Sequence, residues 1–162
     1  MSEPTSVPIP AGVADGPDAQ RRAERSAAVL LERDPAARHL GITLEAVGPG
    51  FARMRMPVGD TMINGHGTCH GGYLFTFADA AFAFACNTFN RVTVAASASI
   101  EFLAPARLGD VLHAEGRVRT QGRRTGVYDV AIENGDGRPL ALFRGRSHSL
   151  DEALYDEAGT AT

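Results

Sequence analysis

One stretch limits the folds open to this chain more than any other: the thirty residues from 61 to 90 carry a single formal charge, Asp79. They open with the loop INGHGTCHGG and continue as YLFTFADAAFAFACNTFN. Phe75, Phe77, Ala78, Ala80, Ala81, Phe82, Ala83, Phe84 and Ala85 leave a helix over residues 72–88 with no polar face, and a helix of that kind is buried on most sides. Its alanines let other backbone come close. The rest of the chain must wrap this segment.

What surrounds it has the period of strands. Residues 40–47 and 51–58 read as two strands joined at Gly48-Pro49-Gly50, a hairpin signal. After the apolar segment, alternation returns over 93–103, 110–121, 126–134 and 139–147. Pro105, the turn Gly122-Arg123-Arg124-Thr125 and the run Asn134-Gly135-Asp136-Gly137 break these stretches. Short connections join antiparallel neighbours. Ahead of all this, Ala23, Ala27, Leu30 and Leu31 repeat at helical spacing against Arg21, Arg22, Arg25 and Glu32, so an amphipathic helix is expected to end near Asp34, before Pro35. The expected class is α+β, with an antiparallel sheet on one long central helix and an extra N-terminal helix.

The domain is expected over residues 18–148. Residues 1–17, with three prolines before Ala11, read as a disordered tail, and 149–162 as an acidic, apolar-poor C-terminal tail. A length of 162 residues suits one domain with a real core. The net charge of −3 gives no footprint for nucleic acid. No run reaches the roughly 18 apolar residues of a membrane span, and the N-terminus lacks the features of a signal peptide, so a cytoplasmic location is expected. All 16 basic residues are Arg, which excludes lysine-based covalent chemistry and keeps phosphate contacts open.

Asp79 is the first candidate for chemistry. An unpaired carboxylate on an apolar helix pairs elsewhere or shifts its pKa upward, and no Arg lies three or four positions away. Gly71-Gly72 stands where the helix begins, and helix N-termini present unpaired amides to an oxyanion. The alternatives are an Asp satisfied by tertiary hydrogen bonds and a glycine pair used only for turning. Eight residues separate Gly71 from Asp79, about 12 Å along a helix. If both act on one carbonyl, the amide of one subunit must face the Asp79 of another, in a symmetric dimer. His66, Cys69 and His70 are acceptable zinc ligands in type, yet no second ligand pair accompanies them, so no metal is expected. Cys69 beside His70 is also a weak nucleophile–base pair, and Cys86 reads as a small buried hydrophobe.

The stretch from Met62 to Asp79, with Asn64 and His70-Gly71-Gly72, resembles the hot-dog thioesterases of the phenylacetate-degradation type. The segments ASASIEFLAPARLGD, GRRTGVYDV and ALFRGRSH are similar to that family as well, so the likeness spans residues 35–148. It implies that the sheet wraps the helix as a hot-dog fold and that acyl-CoA thioesters, above all arylacetyl esters, are hydrolysed. Asp79 would activate water or attack the thioester, the Gly71 amide would form the oxyanion hole, Asn64 would position the nucleophile or carbonyl across the dimer, and His70 would shape the loop. It further implies a homotetramer of two such dimers, no cofactor, and CoA along the surface, where Arg123 and Arg124 would contact its phosphates. Ser97 or Ser99 is a further polar candidate, and Phe75, Phe82 and Phe84 line either an acyl pocket or the core. An acyl-CoA hydratase or dehydratase pairing an Asp with His70, and a non-enzymatic acyl-CoA sensor, are the competing functions.

Overall fold

The computed structural model describes residues 10 and 12–157; the expected 1–17 tail falls largely outside them. Pro17 opens α1 (Pro17–Arg33), where its missing N–H costs nothing. Ala19, Ala23, Ser26 and Ala27 face inward. The helix stops before Pro35 as its sequence predicts. Asp34 then accepts a 2.9 Å hydrogen bond from the Ala37 amide and starts a second short helix, α2 (Pro35–His39), which the periodicity does not mark. Gly41, at φ +67°, turns the chain out of it, so the first strand begins at Thr43 and not at Leu40.

The strands are β1 (Thr43–Gly48), β2 (Phe51–Pro57), β3 (Thr93–Phe102), β4 (Val111–Gln121), β5 (Thr125–Asn134) and β6 (Pro139–Ser149). They form one antiparallel sheet in the order β1-β2-β4-β5-β6-β3. The apolar segment is α3 (Gly71–Cys86), lying in the concave side of that sheet. Met54, Met56, Leu112, Ala114, Tyr128, Val130, Ile132 and Phe143 face it and are at most 2% exposed. This is the hot-dog arrangement. The helix ends two residues short of Thr88 because Asn87 closes it. The Asn87 side chain donates to the carbonyls of Ala83 and Thr93 at 2.9 Å each and accepts from the Thr93 amide at 2.9 Å, which fastens the end of α3 to the start of β3.

Helix and sheet backbones come close at Gly116, where a Cβ would stand 3.0 Å from the Ala81 carbonyl oxygen. Backbone on both sides leaves no room to yield. Gly116→Val is expected to lose about 1–3 kcal/mol through overpacking, read from denaturant unfolding.

The convex face carries charge. Arg144 donates to Asp129 through Nε at 2.6 Å and Nη2 at 2.8 Å, and Arg119 adds Nε at 2.8 Å. The Arg144 hydrogen bonds hold the Asp129 carboxyl below its ordinary range. With the folded-state value depressed, the stabilisation is complete above the unfolded carboxylate value and is lost as pH falls through the folded one. The stability gap between the native chain and Asp129→Asn should therefore close on acidification. Urea midpoints at neutral and acidic pH measure that gap.

Residues beyond β6 depart from the frayed tail that their composition suggests. Ser149 belongs to β6, and the next residues return along α1. Leu154 is 7% exposed, the Arg25 guanidinium lies 4.2 Å from the Tyr155 ring centroid, and Tyr155 shares two 3.1 Å hydrogen bonds with Asn90. Two apolar side chains in an acidic segment are enough to seat it.

Candidate active site

The glycine-rich loop is closed on itself. Asn64 Oδ1 accepts from the amides of His66 at 2.9 Å and Thr68 at 3.3 Å, and the Asn64 amide donates to the Thr68 carbonyl at 2.8 Å. The His70 amide reaches back to the Met62 carbonyl at 2.8 Å. Asn64 is thus held by its oxygen, and its Nδ2 has no acceptor among the described residues. The loop delivers the chain into α3 at Gly71.

His70 is the N-cap of that helix. Its Nδ1 accepts the Gly72 amide at 3.2 Å, and its carbonyl accepts the Tyr73 amide at 2.9 Å. The Gly71 amide is passed over and has no acceptor among the described residues. Helix N-termini attract anions through such amides. A side chain at Gly71 would meet Phe102, whose ring lies 2.9 Å from where its Cβ would stand, so anything larger than glycine must push that ring aside. Phe102, 55% exposed, is a wall of this site that the strand pattern did not single out.

Asp79 sits midway along α3 on the stripe left uncovered by the sheet. Phe75 and Thr76 on that stripe are exposed, while Asp79, Ala80 and Ala83 are half-buried. The Asp79 carboxylate accepts no hydrogen bond from the described residues, and burial pushes its pKa up with no opposing cation. The alternative of an Asp satisfied by its own fold is not what the structure shows. A partly desolvated carboxylate beside open space is poised to take a proton or attack a carbonyl.

Other candidates separate clearly. Ser97 and Ser99 pair with Arg146 and Arg144 across to β6, on the convex face, whereas Ala98 and Ile100 pair with Gly145 and Phe143 and look toward α3. Neither serine therefore faces the helix that carries Asp79. Phe82 and Phe84 are core residues at 1% and 2% exposure; only Phe75, edge-on to Phe143 at 5.4 Å, borders open space. Burial raises the Cys69 thiol and pushes Cys86 up to about 12, so neither is an activated nucleophile. Arg124 is ion-paired with Asp151. Arg123 stands beside it at the β4–β5 turn and makes no ion pair among the described residues.

The thioesterase superfamily model matches residues 66–141, from within the loop through α3 and β3 to β5 and into the start of β6. Over 137 residues the chain is 44% identical to the Escherichia coli acyl-coenzyme A thioesterase PaaI, covering 85% of this chain and 98% of that one. The chain belongs to the thioesterase superfamily. The solved structure of the E. coli PaaI protein agrees with a TM-score of 0.82 over 83% of this chain and 97% of that one, at 44% identity. A hypothetical thioesterase from Streptococcus pneumoniae, solved with coenzyme A, is 29% identical with a TM-score of 0.67, covering 69% of this chain and 90% of that one.

Proposed function

We propose that the protein hydrolyses acyl-CoA thioesters, with phenylacetyl or ring-hydroxylated phenylacetyl as the acyl group, in the cytoplasm. The observation that carries this reading is Asp79, an unpartnered carboxylate on the uncovered stripe of a buried helix. The free Gly71 amide supports it. A carbonyl oxygen accepting that amide gains electrophilic carbon, and the tetrahedral oxyanion is held more tightly than the ground state; one such donor contributes about 3–4 kcal/mol in comparable enzymes. Asp79 either takes a proton from water as its oxygen adds to the carbonyl carbon, or adds through its own oxygen to give an anhydride that water opens. In both routes the C–S bond breaks and CoA leaves as a thiolate that recovers a proton. Asn64 Nδ2 is the donor free to orient the carbonyl or water, and His70 keeps the loop in shape through Gly72. Phe75 and Phe102 are the aromatic surfaces offered to an aryl acyl group.

Gly71 and Asp79 of one chain stand about 12 Å apart along α3, so the reading requires two chains. Edge strand β3 is the surface available for the second copy: it is the free edge beyond β6, and Val94 and Phe102 on it are 47% and 55% exposed. The two copies would meet along β3 in antiparallel fashion, and two such dimers would form the tetramer. Thiol release measured across short, long and aromatic acyl-CoAs tests the activity; turnover confined to straight-chain esters would reject the arylacetyl assignment. A hybrid experiment tests the composite site. Mixing chains carrying Asp79→Asn with chains carrying Gly71→Val gives dimers with one intact site, so activity should rise well above either variant alone. No recovery on mixing would place the whole site in one chain.

A further inference from the structure

The amide that Gly71 offers is placed by the two residues before it. His70 is held through its amide by the Met62 carbonyl, and Cys69 through its amide by the Ala106 carbonyl, each at 2.8 Å. The first bond is internal to the loop. The second reaches out to residues 103–110, the connection from β3 to β4, in which Ala106 is fully buried. That connection is tied at both ends. Leu103 and Ala104 donate to the Leu140 carbonyl at 2.8 and 3.2 Å. Near β4 the Gly109 amide donates to the Val58 carbonyl at 3.0 Å, and the Val58 amide donates to the Asp110 carbonyl at 2.8 Å.

Between these anchors one side chain holds the backbone. Asp110 Oδ2 accepts the Arg107 amide at 2.8 Å, and the Asp110 amide donates to the Arg107 carbonyl at 3.0 Å. Together they close a turn in which Gly109 takes φ +87°. The Arg107 N–H and the Ala106 C=O belong to one peptide unit, which is planar and rigid. Its N–H edge is gripped by a half-buried carboxyl group, and its C=O edge grips the Cys69 amide. A hydrogen bond to a carboxylate is stronger than one to a neutral oxygen and polarises the next bond in the chain. The linkage runs without a break from Asp110 to Cys69, two residues ahead of Gly71.

We propose that Asp110 is a positioning residue for the oxyanion amide, acting through the Ala106–Arg107 peptide to fix where the loop presents Gly71. The inference rests on the thioester-hydrolase reading and adds to it a residue that acts through backbone alone. The connection follows directly from Phe102, so it sets one wall of the site and the place of its donor together. Loosening it moves a donor that serves the transition state more than the bound ester, so the loss belongs in kcat.

The test measures thiol release from phenylacetyl-CoA by the native protein, Asp110→Ala, Asp110→Asn and Asp110→Glu, beside amide hydrogen exchange of the 62–72 loop. Asp110→Ala removes the acceptor and is expected to lose about ten- to a hundredfold in kcat, the scale of a misplacement of about 1 Å. KM should stay within about twofold. Asparagine keeps an acceptor at the same reach and should hold kcat within about threefold of native. Glutamate keeps the charge and carries its oxygens one methylene too far, so it should resemble alanine; it also serves if the alanine variant does not fold. Exchange at the Cys69 amide should quicken in the alanine and glutamate variants and stay near native with asparagine. The reverse order, glutamate active and asparagine impaired, would assign the effect to charge and overturn the proposal. A native kcat in Asp110→Ala, or a loss of kcat with Cys69 exchange unchanged, would overturn it as well and leave the hydrolase reading standing. Absence of thiol release by the native protein removes the hydrolase reading, and this assignment with it.

Discussion

Thiol release by the Asp79→Asn protein is expected to fall about 100- to 10,000-fold at neutral pH, the range that a positioned proton-transfer group contributes, with the oligomer intact. Asparagine keeps the size and removes the charge, so a loss of this order speaks to chemistry and not to packing. The pH profile adds a second signature. Burial raises the Asp79 pKa, and both routes need the ionised form. The acidic limb of kcat should therefore lie above the ordinary carboxylate range. Stability should move the opposite way. A group whose folded-state pKa is raised contributes stability that is complete below the unfolded value and is lost as pH rises through the folded one. Asp79→Asn should accordingly gain in Tm relative to the native chain as pH rises, while turnover is lost. A variant that keeps turnover within twofold would end the catalytic assignment. In a single turnover in oxygen-18 water, label found in the Asp79 side chain would establish the anhydride route, with water opening it at the Asp79 carboxyl carbon.

Phe82→Ala is expected to cost about 3–5 kcal/mol, the range for emptying a buried aromatic site. That is a large part of the roughly 5–15 kcal/mol that keeps a domain folded. Phe82 is 1% exposed and meets the rings of Tyr128 and Phe143 at 5.6 and 5.8 Å. Gly145 has no room for a Cβ, which would come within 2.7 Å of the same ring, so β6 is fitted around it. Phe75→Ala removes a ring 36% exposed and should disturb the fold far less, while raising KM for arylacetyl esters more than for short straight-chain ones. Urea unfolding of the two variants, set against their KM values, separates core from acyl surface. Equal losses of stability would show that Phe75 is structural as well.

Much of the architecture was legible because it follows from local periods. The charge-poor segment has one stable place, under a sheet, and the alternating stretches around it supply that sheet. Asp79 was legible for the same reason, as the single charge in the segment, and the His70-Gly71-Gly72 run marked the helix entrance. Features set by chain crossings were hidden. Nothing local tells that β3 passes to the far edge beyond β6 and brings Phe102 over Gly71. The serine question was left open by the sequence, and the structure shows why: a bulge between Ala95 and Ser97 shifts the register, so alternation along β3 does not carry across it. The seating of Leu154 and Tyr155 was concealed by the acidic composition around them.

The order of strands also bears on how the chain is made. β3 leaves the ribosome well before β6, its one neighbour in the sheet of the single chain, and residues 103–138 must be synthesised in between. Until β6 arrives, both backbone edges of β3 and its exposed Val94 and Phe102 have no sheet to join, and unpaired apolar strands of this kind draw chains together during folding. The strand offered to a second copy is thus a hazard to the nascent chain. Slow elongation through β4 and β5 should lengthen that interval and lower the soluble yield.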